Sequence, residues 1–261
     1  VLLQCLGAAS NLRRVLMAGI SLRDYQTDAV ERMKNGCILC GGVGSGKSRT
    51  ALAYCYKQNG GKLGTKNYIR MPGTPKDLYI ITTARKRDTL EWEGELSPFL
   101  LSVHAEVNTY KNKVVVDSWN NIGKYATVTD AFFIFDEQRV VGSGAWVKAF
   151  LKIAKFNEWI LLSATPGDTW EDYIPVFVAN GFYKNRTAFK EEHMVLTWVN
   201  GKYAKVDRYL RVGRLIRLRN RILVDMDFKR ETCSHHEDVY VNYDVAKYKE
   251  ASRLRWNPYK N

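Results

Sequence analysis

Residues 41–48 read Gly-Gly-Val-Gly-Ser-Gly-Lys-Ser, which matches the phosphate-binding pattern G-x-x-x-x-G-K-[ST]. Four glycines in the loop let the backbone approach a phosphate, because no Cβ stands in the way. In this pattern Lys47 neutralises the terminal phosphates, and the hydroxyl of Ser48 is a ligand for Mg²⁺. The predicted phosphate-binding residues are Gly41, Gly42, Val43, Gly44, Ser45, Gly46, Lys47 and Ser48.

The segments on either side of this loop support the same interpretation. Residues 37–40 are a short apolar run typical of a buried strand, and residues 48–56 have the composition of a helix. A strand, a glycine loop and a helix N-terminus direct backbone N–H groups and the positive end of the helix dipole towards one anion. The alternative is a chance glycine turn before a helix, which the order of the three segments disfavours.

A pair of adjacent acids provides the second chemical signal. Residues 131–135 (Ala-Phe-Phe-Ile-Phe) predict a strand buried on both faces, and Asp136 and Glu137 follow directly. Two acids at the end of a buried strand are costly unless they bind a cation or another positive group. Downstream of a phosphate loop, we predict that Asp136 holds Mg²⁺ and that Glu137 is the general base that polarises water. A solvated turn is the alternative.

Polar residues also follow three other predicted strands. Ligands gather at the carboxyl edge of an open parallel sheet, where hydroxyl and basic side chains suit a phosphodiester backbone. Solvated cations at a helix start are the alternative for the basic run after residue 82. The predicted nucleic-acid contacts are Thr82, Thr83, Arg85 and Ser118. The strand at 159–162 ends in Ser163-Ala164-Thr165, which alone would indicate only a turn.

The order of these segments predicts one α/β domain with a mostly parallel sheet and helices on both faces. Predicted strands occupy residues 37–40, 77–82, 113–116, 131–135, 159–162 and 239–243. Ser21 and Asp24 resemble a capping box, which predicts a helix from there to Gly36. Gln26 lies near the start of this helix, and its amide can both donate to and accept from an adenine edge.

The charge of the chain points to a polyanionic partner. Lys plus Arg number 40 against 27 Asp plus Glu, a formal net charge of +13. From Gly181 onward there are 18 basic and 10 acidic residues, so 8 of those charges lie in the last third. Nucleic acid is the first candidate partner, and a basic solvated surface is the alternative. Arginines at every third position from Arg208 to Arg217 predict a helix with a basic face, which either lies along nucleic acid or is solvated.

The cysteines and the N-terminus indicate a reducing cytoplasm. Cys37 and Cys40 fall in a predicted strand, so we interpret them as buried apolar residues rather than zinc ligands. Cys233 with two nearby histidines is interpreted as an exposed loop. Residues 1–16 place arginines after an apolar start, the wrong order for a secretory signal, and Met17 is a plausible initiator. No stretch approaches the apolar length of a membrane span.

Taken together, the motifs resemble those of a known family. Five motifs occur in one order: residues 22–26 (Leu-Arg-Asp-Tyr-Gln), 41–48, 82–85 (Thr-Thr-Ala-Arg), 136–139 (Asp-Glu-Gln-Arg) and 163–165 (Ser-Ala-Thr). This series resembles the N-terminal RecA-like lobe of superfamily 2 helicases and translocases, with the phage-encoded and Swi/Snf-like DNA-dependent ATPases as the most similar branch. The Asp-Glu-Gln-Arg motif argues against a typical DEAD or DEAH RNA helicase.

This resemblance implies a P-loop NTPase fold of the RecA-like type, a three-layer sandwich around the sheet. It implies an ATP-dependent DNA helicase or translocase motor with ATP and Mg²⁺ as cofactors, and DNA as a partner in preference to RNA. It assigns adenine recognition to Gln26, phosphate and metal binding to Lys47 and Ser48, and hydrolysis to Asp136 and Glu137. The residues expected to couple hydrolysis to movement are Gln138, Arg139, Ser163 and Thr165. A phage-encoded protein would act in the host cytoplasm.

The resemblance also divides the chain. Residues 21–243 correspond to the first RecA-like lobe, 1–20 to an N-terminal extension, and 244–261 to a linker towards a second lobe. Enzymes of this family use a second lobe that supplies arginine fingers to the γ-phosphate. Nothing after Ser163 repeats a sheet of that size. We therefore expect this chain to work with a second lobe in cis or in trans, and alone to bind ATP but hydrolyse it slowly.

Two other functions remain open at this stage. The ATPase of a DNA-packaging terminase also combines a phosphate loop with an acidic pair, but the clustered acids of a downstream nuclease domain are not visible. A non-catalytic nucleic-acid-binding module with a nucleotide switch is the third possibility. The intact Lys47, Asp136 and Glu137 argue against a relic of that kind.

Overall fold

A six-stranded parallel sheet forms the centre of the computed structural model, which describes residues 18–137, 140–199, 203–228, 237 and 242–254. Its strands in chain order are β1 (Ile38–Cys40), β2 (Leu78–Thr82), β3 (Val114–Ser118), β4 (Phe132–Asp136), β5 (Glu158–Ser163) and, after a separate hairpin, β8 (Leu223–Asp225). They lie in the order β3-β2-β4-β5-β1-β8, and every neighbouring pair is parallel. The prediction of a mostly parallel sheet is confirmed.

Helices cover both faces of this sheet. They are α1 (Asp24–Arg32), α2 (Lys47–Gln58), α3 (Ala84–Asp88), α4 (Glu91–Leu96), α5 (Ala145–Phe156), α6 (Ile174–Ala179), α7 (Arg186–His193) and α8 (Val212–Ile222). Short 3₁₀ turns occupy Ser97–Phe99, Trp119–Tyr125 and Trp170–Tyr173. Apolar side chains of α1, α2 and α4 pack on one face, and those of α5 to α8 pack on the other. The predicted three-layer α/β sandwich is therefore confirmed.

The strands form because their residues are apolar on both faces, as burial between two helical layers requires. All five residues of β4 are buried, and its four apolar residues are at most 2 % exposed. Cys37 is fully buried just before β1, and Cys40 ends that strand. Burial raises the pKa of both thiols to about 11, which keeps them protonated at neutral pH.

The N-terminal helix differs from its prediction at both ends. It starts at Asp24 rather than near Ser21, because the side chain of Gln26, not that of Asp24, accepts a hydrogen bond from the backbone N–H of Arg23. It ends at Arg32, and Gly36 instead forms the turn into β1 with a φ of 80°. The predicted capping box was therefore placed two residues too early.

The predicted basic helix is only partly correct. Arg208 lies in β7 (Tyr203–Tyr209), which pairs antiparallel with β6 (Met194–Val199), and Arg211 has a left-handed backbone with a φ of 52° before α8. Only Arg214 and Arg217 of that series are helical. Arg208 is in a strand rather than a helix because β6 is available as a pairing partner for β7. The helical periodicity of the arginines does not reveal that partner.

The sheet edge next to β1 also differs from expectation. The strand at this edge is the three-residue β8. The predicted strand at 239–243 lies outside the described residues except for residues 242 and 243, which are not in a strand.

Residues 229–261 form a separate unit, in which α9 (Val245–Leu254) is described. The predictions for residues 1–17 and for Cys233 concern residues outside the described part of the chain. Within the described part, no helix is long and apolar enough to cross a bilayer.

Asn157 ties the start of β4 to the end of α5. Its side-chain oxygen accepts from the backbone N–H of Ala131 at 2.9 Å, and its amide donates to the carbonyls of Val128 and Ile153 at 2.7 and 2.8 Å. The side chain is 8 % exposed, so water cannot readily replace these partners. This amide therefore anchors the strand that carries Asp136.

We expect Asn157→Ala to lower the free energy of unfolding by about 2–3 kcal/mol, because it leaves buried backbone groups without partners. Urea denaturation of the purified chain measures this. Lys152→Ala is the control, since Lys152 is an exposed residue of α5 and should change stability by less than about 0.5 kcal/mol. Equal effects of the two substitutions would contradict the anchoring role.

Candidate active site

The phosphate loop has the backbone geometry that its glycines predict. Gly44 and Gly46 have φ values of 83° and 77°, in the left-handed region that glycine adopts most easily. Gly46 is restricted a second time, because a Cβ on it would lie 2.4 Å from the amide nitrogen of Gln26. Any other residue at this position would therefore strain the loop and also displace Gln26.

Side chains from α1 brace this loop. The amide of Gln26 donates to the carbonyl of Gly46 at 3.4 Å while its oxygen accepts from Arg23, and the hydroxyl of Tyr25 donates to the carbonyl of Ser45 at 3.2 Å. A cavity of about 370 Å³ lies at this junction. It is lined by residues of α1 and of the loop, among them Arg23, Tyr25, Gln26, Gly44, Ser45 and Gly46.

The ammonium of Lys47 lies within the loop rather than on the acids. Its Nζ donates to the carbonyls of Gly41 and Gly42 at 2.7 and 2.9 Å. Burial lowers the pKa of Lys47 from its ordinary value, although the charge of Asp136 opposes this effect. The carbonyl of Gly42 also accepts from the backbone N–H of Ser45 at 3.3 Å, so Lys47 adds a second partner there.

Asp136 is the most enclosed charged group of the site, with 1 % of its surface exposed. Its Oδ2 accepts from the hydroxyl of Thr82 at 2.8 Å, the ammonium of Lys86 at 3.0 Å and the indole N–H of Trp92 at 3.3 Å. Its backbone carbonyl accepts from the indole of Trp119 at 2.9 Å. Four elements of the fold therefore fix the position of this one residue.

Glu137 follows in a strained backbone. Its φ of 59° is left-handed, a conformation that costs a non-glycine residue energy and clusters at functional sites. Its side chain is 45 % exposed, and Oε1 pairs with Nζ of Lys86 at 2.7 Å. The backbone turn therefore directs Asp136 into the protein interior and leaves the carboxylate of Glu137 accessible from solvent.

Lys86 bridges the two acids, and the pKa values reflect the conflict between burial and charge. Burial raises the pKa of Asp136 above its ordinary value, with Lys86 and Thr82 acting in the opposite direction. Burial by itself would lower the pKa of Lys86, but the two carboxylates outweigh it and raise the pKa. The ammonium of Lys86 consequently stays protonated beside the acids.

Strand β5 holds the loop and the acids in a fixed relation. Its Leu162 carbonyl accepts from the backbone N–H of Glu137 at 3.2 Å, and the next carbonyl, of Ser163, accepts from the N–H of Gly41 at 3.3 Å. The hydroxyl of Ser163 accepts from the N–H of the exposed Thr165 at 3.1 Å. Two successive residues of one strand thus connect both halves of the site.

A second cavity, of about 240 Å³, lies beside the start of α2, and Ser48, Lys86 and Trp92 line it together with Glu91 and Glu95. Glu95 also lines the larger cavity. The donor set fits a magnesium nucleotide: a hydroxyl from Ser48 and a carboxylate from Asp136 are the hard oxygen ligands that Mg²⁺ prefers. The glycine backbone at the start of α2 fits a phosphate.

The predicted nucleic-acid residues have different environments. Thr82 and Ser118 are buried, and their hydroxyls contact Asp136 and Arg87 respectively. The hydroxyl of Thr83 caps α3 by accepting from the N–H of Lys86 at 3.3 Å, whereas Arg85 is exposed. Gln138 and Arg139 lie outside the described residues. The nucleic-acid and coupling roles of all these residues stay predictions.

Lys86 and Trp92 were not predicted as site residues, and Trp119, which the sequence left open as a base-stacking or a core residue, is buried. The basic run after Thr82 contained a signal for Lys86, because Lys86 follows the helix cap Thr83 by three residues and β2 neighbours β4. No comparable signal identified the two tryptophans. Their indoles reach Asp136 only through the packing of α4 and of the turn after β3.

Comparisons with known proteins agree with the fold. No protein-family model and no curated protein sequence matches the chain. The Sulfolobus solfataricus SWI2/SNF2 ATPase core in complex with dsDNA is similar in structure, with a TM-score of 0.57, 15 % identity, and coverage of 80 % of this chain and 45 % of that one. The Pyrococcus furiosus Hef helicase domain matches with a TM-score of 0.42, 17 % identity, and coverage of 68 % and 41 %.

The chain therefore spans less than half the length of either protein. At 15 % identity the likeness to the SWI2/SNF2 ATPase core concerns the fold alone. The chain thus shares an α/β fold with a SWI2/SNF2 ATPase core.

Proposed function

We propose that this chain is the first RecA-like lobe of an ATP-dependent DNA helicase or translocase. The observation that carries the proposal is the bridge through β5, where adjacent carbonyls hold Gly41 of the phosphate loop and Glu137 of the acidic pair. A phosphate-binding backbone and a carboxylate base at one sheet edge are what ATP hydrolysis requires.

ATP would bind along the two cavities that share Glu95. The adenine would lie against Gln26, whose amide is already positioned by Arg23 and Gly46, and the phosphates would lie on the glycine loop. Ser48 and Asp136 would hold Mg²⁺, which when bound neutralises developing charge on the phosphates. Lys47 would exchange its loop carbonyls for phosphate oxygens.

Glu137 is the base of this proposal because its carboxylate is accessible while that of Asp136 is enclosed. Its strained backbone fixes the direction of the side chain before substrate arrives. In that position Glu137 would orient water and accept a proton from it. A second lobe would supply the arginine that completes charge neutralisation, so the 261-residue chain alone should turn over slowly.

Nucleic acid would bind at the carboxyl edge near α3. Arg85 is exposed there, and the net charge of +13 favours a polyanion. The similar SWI2/SNF2 core is in complex with dsDNA, which supports DNA as the polymer. Contacts to phosphates rather than bases would make binding weakly sequence-specific and sensitive to salt.

We expect Gln26→Ala to reduce the preference for ATP over GTP by about tenfold or more, because a side-chain amide that pairs with a base edge supplies roughly that discrimination. Equilibrium binding of fluorescent ATP and GTP analogues measures the ratio. Gln58→Ala is the matched control, since Gln58 is exposed at the end of α2. An unchanged ratio in Gln26→Ala would remove Gln26 from adenine recognition.

We expect Glu137→Gln to lower the residual ATP hydrolysis rate by about 100-fold or more while ATP affinity changes little, because the amide keeps the shape but cannot accept the proton. Single-turnover assays and binding titrations separate the two quantities. Glu106→Gln is the control at an exposed glutamate. An unchanged hydrolysis rate in Glu137→Gln would remove Glu137 from the role of base.

We expect Arg85→Ala to weaken DNA binding equally for unrelated sequences and to reduce the slope of log affinity against log salt by about 1, because one phosphate contact is lost. Fluorescence anisotropy over a salt series measures both effects. Lys152→Ala removes the same charge from α5, away from α3, and should leave the slope unchanged. Identical slopes for Arg85→Ala and wild type would contradict the contact.

A further inference from the structure

Lys86 forms an ion pair with each of the two acids of the site. Its Nζ lies 3.0 Å from Oδ2 of Asp136 and 2.7 Å from Oε1 of Glu137, and its side chain is 19 % exposed. The lysine of the phosphate loop makes no such bridge, because the ammonium of Lys47 is held by the carbonyls of Gly41 and Gly42. Lys47 therefore contacts the carbonyls of the glycine loop, and Lys86 contacts the carboxylates of Asp136 and Glu137.

This bridge conflicts with the proposed metal site. A divalent cation on the carboxylate of Asp136 and an ammonium 3.0 Å from the same carboxylate would repel one another strongly in a site with little water. Thr82 and Trp92 are neutral donors, so they can stay in place when a metal binds. Lys86 is thus the contact of Asp136 that the metal has to displace.

The surroundings give the displaced ammonium another position. Lys86 has a flexible four-carbon stem on the short helix α3, so the charge can move without a change of the backbone. Glu91 and Glu95 line the same cavity of about 240 Å³ as Lys86. Glu95 already pairs with Arg49 at 3.0 Å. Among the described residues, Glu91 accepts only from the neutral hydroxyl of Thr89, so the carboxylate of Glu91 can compensate the ammonium once it leaves Asp136.

We propose that Lys86 is a positioning residue that acts as a cationic latch: it holds Asp136 and Glu137 in the nucleotide-free protein and is displaced when Mg²⁺ binds with the nucleotide. The inference rests on the proposed function, since it requires a magnesium nucleotide at this site.

The experiment compares three substitutions in the whole 261-residue chain. Lys86→Met removes the charge and keeps most of the stem, Lys86→Arg keeps the charge, and Lys152→Met is the control at an exposed lysine. The measured quantity is the free Mg²⁺ concentration that gives half of the metal-dependent binding of a fluorescent ADP analogue at pH 8. A second measurement is the melting temperature in EDTA and in saturating Mg²⁺ with ADP.

The latch predicts an order for the magnesium midpoint. Lys86→Met should lower it by about tenfold, because the competing charge-assisted hydrogen bonds are gone. Lys86→Arg should leave it at or above the wild-type value, since a guanidinium can hold both carboxylates. Lys152→Met should equal wild type. A midpoint that is unchanged or higher in Lys86→Met, or lower in Lys86→Arg, overturns the latch.

The melting temperatures distinguish a latch from a purely structural contact. In EDTA, Lys86→Met should melt at least about 5 °C below wild type, because a buried carboxylate loses its counter-ion. In Mg²⁺ with ADP most of this difference should vanish, since the metal replaces the ammonium. An equal loss in both conditions overturns the proposal.

The same data separate the latch from the proposed function. If wild-type protein shows no magnesium-dependent binding of the ADP analogue, the nucleotide site itself is wrong and the latch is wrong with it. If wild-type protein binds and Lys86→Met has the wild-type midpoint, only the latch is wrong. Should Lys86→Met fail to fold, the midpoint of Lys86→Arg still decides, because a value below wild type contradicts the competition.

Discussion

The structure depends on one buried charge, the carboxylate of Asp136. It ends β4, whose other residues are apolar and almost fully enclosed, and an unpaired carboxylate in that setting would cost several kcal/mol. Neighbouring elements compensate it: Thr82 from the end of β2, Lys86 from α3 and Trp92 from α4. The positions of α3 and α4 are therefore coupled to the chemistry of the site, and a change at either helix reaches the acid directly.

The strand order of the sheet places Asp136 and Glu137 near the glycine loop at residues 41–48. Because β5 lies between β4 and β1, the acids and the phosphate loop stand two strand spacings apart, or about 10 Å. The backbone N–H groups of Glu137 and Gly41 donate to the carbonyls of Leu162 and Ser163. These two bonds extend the hydrogen-bond ladders of β5 past the ends of β4 and β1. The distance between Glu137 and the glycine loop is thus set by backbone geometry, which varies less than side-chain contacts. If a magnesium nucleotide binds as proposed, the side chains of Lys47 and Lys86 would have to move.

Much of this arrangement could be predicted from sequence because its signals are local. The glycines at 41–46 predicted a loop between a strand and a helix, and the apolar run before Asp136 predicted a buried strand. What could not be predicted depends on contacts between distant segments. The indole of Trp92 reaches Asp136 across 44 residues of sequence, and the three-residue strand β8 forms only because β1 offers it an edge. The hairpin β6–β7 overrode a helical arginine pattern for the same reason.

The division of charge between two lysines has an energetic consequence for any ligand of this site. Lys47 satisfies loop carbonyls and Lys86 satisfies the acids, so the free protein already pairs most of the charges that a magnesium nucleotide would pair. A ligand then contributes only the difference between the new contacts and those it replaces. ATP alone would displace Lys47, whereas a metal ion would displace Lys86. A magnesium nucleotide that binds as proposed would therefore have to replace both internal pairings, and its affinity would be what its own contacts contribute beyond them.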